Sequence, residues 1–404
     1  MKYIILIGDG MADAPIESLG GKTPLEAADT PNMDRLAGAG RFGLFRTVPD
    51  GFSPGSDVAN LSVLGYSPAK YYSGRAPLEA ASIGVKLGPS DIAFRCNLVT
   101  LIEKDGSTVM GDYSAGHIST EEAREMVLDL DRALSREGVR FYPGTGYRHL
   151  MVWGNGSKEL KTVPPHDISD KATGPHLPKG EGADKLINLM RLSQDVLRDH
   201  PVNARRTAEG KKPATSIWLW GQGSAPAMPT LKERFGVNGA IISAVDLMKG
   251  IGIYAGLDVI KVEGATGYID TNYKGKAEAA LKALETRDLI CVHIEAPDEA
   301  GHNGNLGHKL QAIEDFDLRI VGPVLEGARR LGPFAVMVLP DHPTPIALKT
   351  HTSDPVPFVL FRDGDEGSPV KFSEKNAAAT GLVIEECGAL ARDFYGRAEK
   401  KALS

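Results

Sequence analysis

Acidic residues and histidines follow hydrophobic runs at several distant places in the chain. The residues concerned are Asp9, Asp298 with His302, Asp341 with His342, and then His351. Short apolar runs of this kind are typical of buried parallel strands, and open α/β sheets bind ligands beyond the carboxyl ends of such strands. We therefore expect these side chains to meet in one crevice. Carboxylates and imidazoles together suit a hard or borderline divalent cation, and six such ligands suit two ions.

Ser56 is the candidate nucleophile. It lies between Gly55 and Asp57 after the loop 49–54, where glycine lets the backbone approach a ligand and the start of a helix offers free N–H groups. A serine hydroxyl needs a histidine base or a metal ion to react at neutral pH. No phosphate-binding loop or convincing dinucleotide fingerprint is present, so a metal-assisted serine is favoured.

Each of these residues also has a simpler interpretation. Ser56 alone is typical of a helix cap, and Asp9 alone is typical of a turn. Asp298 and His302 are four residues apart, a spacing that often marks only a polar helix surface. Their shared placement after apolar strands favours metal binding, because independent surface residues have no reason to recur at one end of a sheet.

The alternation of apolar runs and helical periodicity predicts an α/β fold with a central, mostly parallel sheet flanked by helices. The ligand candidates all lie in the two outer parts of the chain. We expect residues 1–88 and 213–404 to form one discontinuous domain, and 89–212 to form an inserted α+β lid domain whose two connections act as a hinge. Strands are predicted at 216–219, 239–242, 289–294, 334–339 and 358–361, and inserted elements at 91–101, 120–136, 150–153 and 183–198.

Composition excludes several classes of protein. The 404 residues are 42% hydrophobic and 24% charged, which is typical of an ordinary enzyme of two or three domains. A formal net charge of -6 and the lack of a basic stripe argue against nucleic-acid binding. Neither a signal peptide nor a membrane-spanning run is predicted. Cys96, Cys291 and Cys387 are widely spaced in apolar contexts, so we expect reduced thiols and a cytoplasmic protein.

Over almost its whole length the chain resembles the archaeal-type, cofactor-independent phosphoglycerate mutases of the alkaline phosphatase superfamily. Five motifs carry the resemblance. They are the segments 7–11 (IGDGM), 55–60 (GSDVAN), 296–305 (APDEAGHNGN), 340–342 (PDH) and 350–352 (THT).

The resemblance implies two metal sites. One ion would be held by Asp298, His302 and His351, and the other would be held by Asp9, Asp341, His342 and the Ser56 oxygen. The family favours manganese, with magnesium, zinc or cobalt as substitutes, and needs no 2,3-bisphosphoglycerate. The implied reaction interconverts 3-phosphoglycerate and 2-phosphoglycerate, with Ser56 carrying the phosphoryl group between the two hydroxyls, as in glycolysis and gluconeogenesis.

The resemblance also suggests residues that contact the substrate. His117, in the segment 111–117, would act as acid and base on the glycerate hydroxyls. Arg148 and Lys261 would bind the carboxylate or the phosphoryl group, and Arg75 and Arg206 are weaker candidates. Capping, ordinary salt bridges or exposure at a strand edge would explain the same five residues without a substrate.

Two competing functions stay open at this point. A homoserine-kinase-like phosphotransferase or a metal-dependent phosphatase of the same superfamily would use a similar centre, and dependence on ATP or release of inorganic phosphate would reveal them. A metal-binding protein without turnover is the third possibility. It is disfavoured because Ser56 accompanies the full ligand set.

Overall fold

The structure is a computed structural model that describes residues 1–136 and 138–396. The chain forms two compact units. The first consists of residues 1–72 together with the segment that begins at Ala227, and the second is Ser73–Pro226. Within the described ranges, no helix is at once long enough and apolar enough to cross a bilayer.

The strands and helices are numbered in chain order. The strands are β1 (Lys2–Gly8), β2 (Arg41–Phe45), β3 (Asp91–Lys104), β4 (Ser107–Asp112), β5 (Val139–Thr145), β6 (Arg148–Gly154), β7 (Leu160–Lys161), β8 (Lys179–Gly180), β9 (Ser216–Ser224), β10 (Gly239–Ile242), β11 (Asp258–Val259), β12 (Leu289–Ile294), β13 (Phe334–Leu339), β14 (Val356–Arg362) and β15 (Val383–Ile384). The α-helices are α1 (Pro24–Ala27), α2 (Pro31–Ala39), α3 (Ser56–Val63), α4 (Pro68–Tyr71), α5 (Arg75–Ser82), α6 (Thr120–Leu134), α7 (Ala183–Arg198), α8 (Pro201–Ala208), α9 (Leu231–Phe235), α10 (Asp246–Tyr254), α11 (Tyr273–Thr286), α12 (Ala296–His302), α13 (Leu306–Phe316), α14 (Gly322–Ala328), α15 (Glu374–Ala379) and α16 (Cys387–Tyr395). Short 3-10 turns lie at Glu17–Leu19, Pro165–Ile168 and Gly174–His176, and a π-helical segment, Asp317–Val321, joins α13 to α14.

The first unit is built on one mixed sheet of eight strands in the order β11-β10-β12-β1-β13-β14-β2-β15. The first five strands are parallel, whereas β14 is antiparallel to both of its neighbours. Ile7 of β1 lies opposite His293 of β12 and Leu339 of β13. The residues two positions further along therefore leave the sheet at one level: Asp9, Glu295 and Asp341.

Burial explains why these strands are so apolar. Every residue of β12 and β13 is buried, as expected of parallel strands that are covered on both faces. Leu36 of α2, Ala280 of α11 and Leu325 of α14 belong to the same core as these strands. The buried hydrophobic strands thus fix the sheet, and the sheet determines where the polar residues after each strand lie.

The second unit is an antiparallel sheet with helices packed on it. Its central strand β3 pairs with β9 on one side and with β6 and then β4 on the other. Met126 of α6 and Leu186 of α7 share a core with Phe94 of β3. Helix α6 begins with a capping box, in which Ser119 and Glu122 bond each other's backbone N–H.

The predicted α/β class is confirmed, and the predicted strands at 239–242, 289–294 and 334–339 coincide with β10, β12 and β13. The inserted unit is larger than the predicted segment 89–212, because it also contains α5 and β9. Sequence pattern could not reveal this, since β9 is an apolar strand like those of the outer unit and only its pairing with β3 assigns it to the insertion.

Candidate active site

The carboxyl ends of β1 and β13 bring Asp9 and Asp341 together, as the sheet register requires. Both carboxylates are buried. The turn after β1 depends on Gly10, which has φ +62° and whose N–H lies 3.2 Å from Asp341 Oδ1. A Cβ at this position would lie 2.7 Å from Asp298 Cα, so only glycine lets the turn after β1 pass so close to α12.

Ser56 is the first residue of α3 and lies near Asp9 and Asp341. Its Oγ is 3.1 Å from Nε2 of His342. One turn later, Asn60 donates from Nδ2 to the Ser56 carbonyl at 2.9 Å and to Asp341 Oδ2 at 2.7 Å. Asn60 therefore ties the start of the helix to the carboxylate and holds the hydroxyl close to the acid cluster.

Helix α12 supplies Asp298 and His302 on one face, as their spacing of four predicts. His302 Nε2 is 3.2 Å from Asp298 Oδ2, and His351 Nε2 is 3.3 Å from Asp298 Oδ1. The two imidazole Nε2 atoms are 2.9 Å apart. Two ring nitrogens and a carboxylate that converge on one point form the donor arrangement a divalent cation takes up.

His342 connects the two groups. Its Nε2 is 3.6 Å from Asp9 Oδ1 and 3.6 Å from Asp341 Oδ2, while its ring centroid is 4.0 Å from that of His351. The structure thus brings all seven residues assigned to metal binding into one cluster: Asp9, Ser56, Asp298, His302, Asp341, His342 and His351.

The electrostatics of the cluster call for positive charge near Asp9. Burial raises the pKa of Asp9 well above its ordinary value, and the negative charges of Asp341 and Asp298 raise it further. Burial also raises the pKa of Asp298, but hydrogen bonds with His302 and His351 outweigh that effect and hold it well below its ordinary value. Among the described residues, Asp9 Oδ1 is buried without a hydrogen-bond partner. An orphaned carboxylate oxygen beside further carboxylates fits a bound cation.

Lys309 supports the loops that carry the ligands. Its fully buried ammonium group donates to Asp13 Oδ2 and to the Thr344 carbonyl, each at 2.7 Å, and lies 3.3 Å from the Ala12 carbonyl. Lys309 therefore joins the segment after Asp9 to the segment after His342. This salt bridge is buried on both sides, so removing either partner would leave an uncompensated charge.

Three polar residues near the cluster were not predicted: His293, Glu295 and Ser243. His293 Nε2 is 2.9 Å from Asp9 Oδ2, and its Nδ1 is 3.2 Å from Ser243 Oγ. Glu295 offers a carboxylate oxygen within 4.8 Å of oxygens of Asp9 and Asp298. The register of β10, β12 and β1 is the only signal that would have found them, because it places Ser243 beside His293 and Glu295 beside Asp9.

The inserted unit contains most of the residues expected to contact substrate. His117 is exposed, and its ring centroid is 6.3 Å from that of Tyr147. Arg148 Cζ is 5.4 Å from the centre of the same Tyr147 ring. Arg75 Nε pairs with Glu79 at 3.2 Å. His117 and Arg148 are thus brought to one aromatic ring.

Arg95 was missed because it lies within a buried strand. Its Nε is 3.0 Å from Glu79 Oε2, and its Cζ lies 4.1 Å from the Trp220 ring. Burial lowers its pKa to about 10, and the charges of Arg75 and Arg148 act in the same direction. The inserted unit therefore gathers three guanidinium groups in one region.

Arg206 and Lys261 lie in different surroundings. Arg206 is buried, and its guanidinium donates to Glu122 Oε2 and the Ala115 carbonyl at 2.6 Å and to the Lys212 carbonyl at 2.9 Å. This placement argues against the predicted substrate contact, because its donors are occupied inside the unit. Lys261 is exposed in the loop after β11 of the first unit.

Comparison with known proteins agrees with these features. A family model described as 2,3-bisphosphoglycerate-independent phosphoglycerate mutase matches residues 37–203. A protein of Geobacter sulfurreducens described as a probable member is 60% identical over 96% of this chain and 97% of its own length, and the Methanosarcina mazei enzyme of that name is 58% identical over 95% and 96%.

Solved structures give the same result. A protein of Pyrococcus horikoshii superposes with a TM-score of 0.82 at 31% identity, covering 99% of this chain and 98% of that one. A cofactor-independent phosphoglycerate mutase of Thermoplasma acidophilum superposes with a TM-score of 0.66 at 28% identity, covering 98% and 99%. The resemblance first seen in the motifs is confirmed: the chain belongs to the family of 2,3-bisphosphoglycerate-independent phosphoglycerate mutases.

Proposed function

We propose that this chain interconverts 3-phosphoglycerate and 2-phosphoglycerate through a phosphoserine at Ser56. The Ser56 oxygen forms a bond to phosphorus as the bond from phosphorus to one glycerate oxygen breaks. The second half-reaction returns the phosphoryl group to the other glycerate hydroxyl. The observation that carries the proposal is the position of Ser56 Oγ, 3.1 Å from His342 Nε2 at the edge of the acid and histidine cluster. The names of the relatives favour this function over the phosphotransferase and phosphatase alternatives.

We propose that two divalent cations occupy the cluster. Asp298, His302 and His351 would hold one, and the second would be held by the set Asp9, Ser56, Asp341 and His342. When bound, the cations would offset the phosphate charge and lower the pKa of the serine hydroxyl. The mixture of carboxylate and imidazole ligands suits manganese, with magnesium, zinc or cobalt as substitutes.

We assign the handling of glycerate to the inserted unit, as a lid over the substrate. A mutase must keep water from the phosphoserine and retain glycerate between its half-reactions. His117 would exchange the proton that one glycerate hydroxyl gains and the other loses. Arg148 and Arg75, with planar guanidinium groups, and Lys261, with its ammonium charge, would bind the carboxylate and phosphate.

We place the reaction in the cytoplasm. All three cysteines are free and buried, which fits a reducing compartment. The substrate is a small phosphorylated acid, and no other partner is needed for the chemistry.

Phosphorus NMR of the purified protein tests the function. With manganese and 3-phosphoglycerate but no nucleotide, we expect the 2-phosphoglycerate resonance to appear without growth of inorganic phosphate. Inorganic phosphate as the main product would indicate a phosphatase. Absence of turnover with manganese, magnesium, zinc and cobalt would refute the proposal.

Replacement of Ser56 by alanine tests the nucleophile. We expect transfer to fall to background while the protein still binds divalent cations, because only one ligand oxygen is lost. Ser62→Ala is the matched control: it makes the same change in α3 at a buried hydroxyl that has no hydrogen-bond partner among the described residues. Normal transfer by the Ser56 variant would show that another residue accepts the phosphoryl group.

A further inference from the structure

His293 is a fourth imidazole at the proposed metal centre, and no role has been assigned to it. It is fully buried in β12, and the nearest ligand atoms of Asp9, His293 and Asp341 all lie within 4.8 Å of one another. This spacing allows two roles. His293 either binds a cation directly or positions another residue that binds it. Which ring nitrogen carries the proton distinguishes these two roles.

Two of the three histidines assigned as ligands, His302 and His342, carry that proton on Nδ1. His302 Nδ1 lies 3.0 Å from the Lys349 carbonyl, which only accepts, so Nδ1 must be the donor. His342 Nδ1 lies 3.3 Å from Thr344 Oγ1, and the Thr344 hydroxyl donates its own proton to Asp298 Oδ1. The Thr344 oxygen therefore accepts from His342. In both neutral rings the lone pair is left on Nε2, which faces the cluster.

His293 has the opposite arrangement. The Ser243 oxygen accepts the Val245 N–H at 3.0 Å, and its hydroxyl is in position to donate to His293 Nδ1 at 3.2 Å. Nε2 lies 2.9 Å from Asp9 Oδ2, which can only accept once Asp9 is ionised as a metal ligand, so the ring proton then belongs on Nε2. A nitrogen that donates a hydrogen bond has no lone pair for a cation.

We propose that His293 is a positioning residue for Asp9 and that Ser243 sets its tautomer. The chain of hydrogen bonds fixes Asp9 Oδ2, and Oδ1, which has no hydrogen-bond partner among the described residues, would be left to bind a cation. Residues that hold a metal ligand in this way raise metal affinity without touching the metal. The inference rests on the two-metal centre proposed above.

Nitrogen-15 NMR of the histidine rings tests the tautomer directly. Zinc is the probe because it is diamagnetic, and the His293 signals are assigned by their loss in His293→Gln. In the zinc-loaded protein we expect His293 to carry a proton on Nε2 and none on Nδ1, whereas Nε2 of His302 and His342 is unprotonated and its resonance shifts when zinc is added. An unprotonated His293 Nε2 in the zinc-loaded protein would overturn the proposal.

Manganese binding to three variants provides a second readout. His293→Gln keeps an N–H that can reach Asp9, so we expect two ions per chain and nearly normal affinity. His293→Leu and the milder Ser243→Ala should also keep two ions, with affinity at one site roughly 10- to 100-fold weaker. Loss of one ion in His293→Gln would instead make His293 a ligand.

The same titration separates the two proposals. As the comparison variant, His342→Gln should bind one ion fewer. A wild-type chain that binds no divalent cation would refute the metal centre and this inference together. Two bound ions with the reversed ring protonation would refute the inference alone.

Discussion

His302, one of the proposed histidine ligands, has a raised pKa. Its hydrogen bond with Asp298 raises the pKa from 6.5 to about 9. In the metal-free protein, the protonated imidazole therefore stabilises the fold fully below pH 6.5, and this contribution is lost as the pH rises through 9. A cation that binds Nε2 must displace that proton, so binding and deprotonation are linked.

We predict that metal binding releases protons in the pH range between these two values. At pH 7.5, manganese binding to the wild type should release about one proton more than binding to His302→Gln, and affinity should increase with pH until about pH 9. Calorimetric titration in two buffers with different ionisation enthalpies measures the difference. Equal proton release by the two proteins would show that His302 is not displaced by the metal.

The grouping of Asp9, Asp341 and His342 could be predicted because each follows a conspicuous apolar run, as Asp341 and His342 do after β13. His293 and Glu295 could not, although they belong to the same edge. His293 lies inside an apolar run, where a single polar residue is commonly a satisfied core side chain, and only the alignment of β12 with β1 and β10 shows what it touches. Contacts across a sheet depend on register, which spacing along the chain does not contain.

The loop before α6 combines backbone strain with a buried brace. Ala115, Gly116 and His117 all have positive φ, between 49° and 64°, a conformation that costs free energy at the two residues with a Cβ. Arg206 of α8 donates to the Ala115 carbonyl and to Glu122 at the start of α6. The helix thus holds the loop that presents His117.

We predict that Arg206→Met lowers the free energy of unfolding by roughly 1.5–3 kcal/mol, because it removes charged hydrogen bonds from a buried site. Arg205→Met is the matched control, since the Arg205 pair with Glu125 is exposed and should contribute less than about 1 kcal/mol. Urea denaturation measures both. Equal losses in the two variants would contradict the bracing role.

Elements with a strong local pattern were predicted best. The run Ala183–Arg198 shows helical periodicity throughout, and α7 has the predicted bounds. Strand β3 extends to Lys104, beyond the predicted 101, because its last residues pair with β4 and need no apolar character there. Where strand pairing rather than burial defines an element, the hydrophobic pattern of the sequence cannot predict its ends.

The inserted unit has its own core and should fold alone. We predict that a fragment of residues 73–226 gives a dispersed NMR spectrum and a cooperative thermal transition. A fragment of residues 89–212, the boundaries suggested by sequence, should remain unfolded, because it lacks β9 and so exposes one whole edge of the central strand β3. Folding of the shorter fragment, or failure of the longer one, would contradict these bounds.

The class of the whole molecule was predictable because alternating strands and helices leave few ways to bury their apolar faces. The exceptions lie at one side of the large sheet. β14 is antiparallel to β13 and β2, and nothing in its apolar run distinguishes it from a parallel strand. Strand direction follows from the path of the connecting segments, which local pattern does not reveal.

The two ends of the inserted unit leave from neighbouring points. The Ser73 hydroxyl donates to the Ser224 carbonyl at 2.6 Å, and the backbones beside them approach so closely that a Cβ at Gly223 would collide with the Ser73 carbonyl. The inserted unit is therefore a module whose two ends lie close together. A different module could be joined at the same two points without altering the ends of β1, β12 or β13, so recombination at these points would leave the large sheet unchanged.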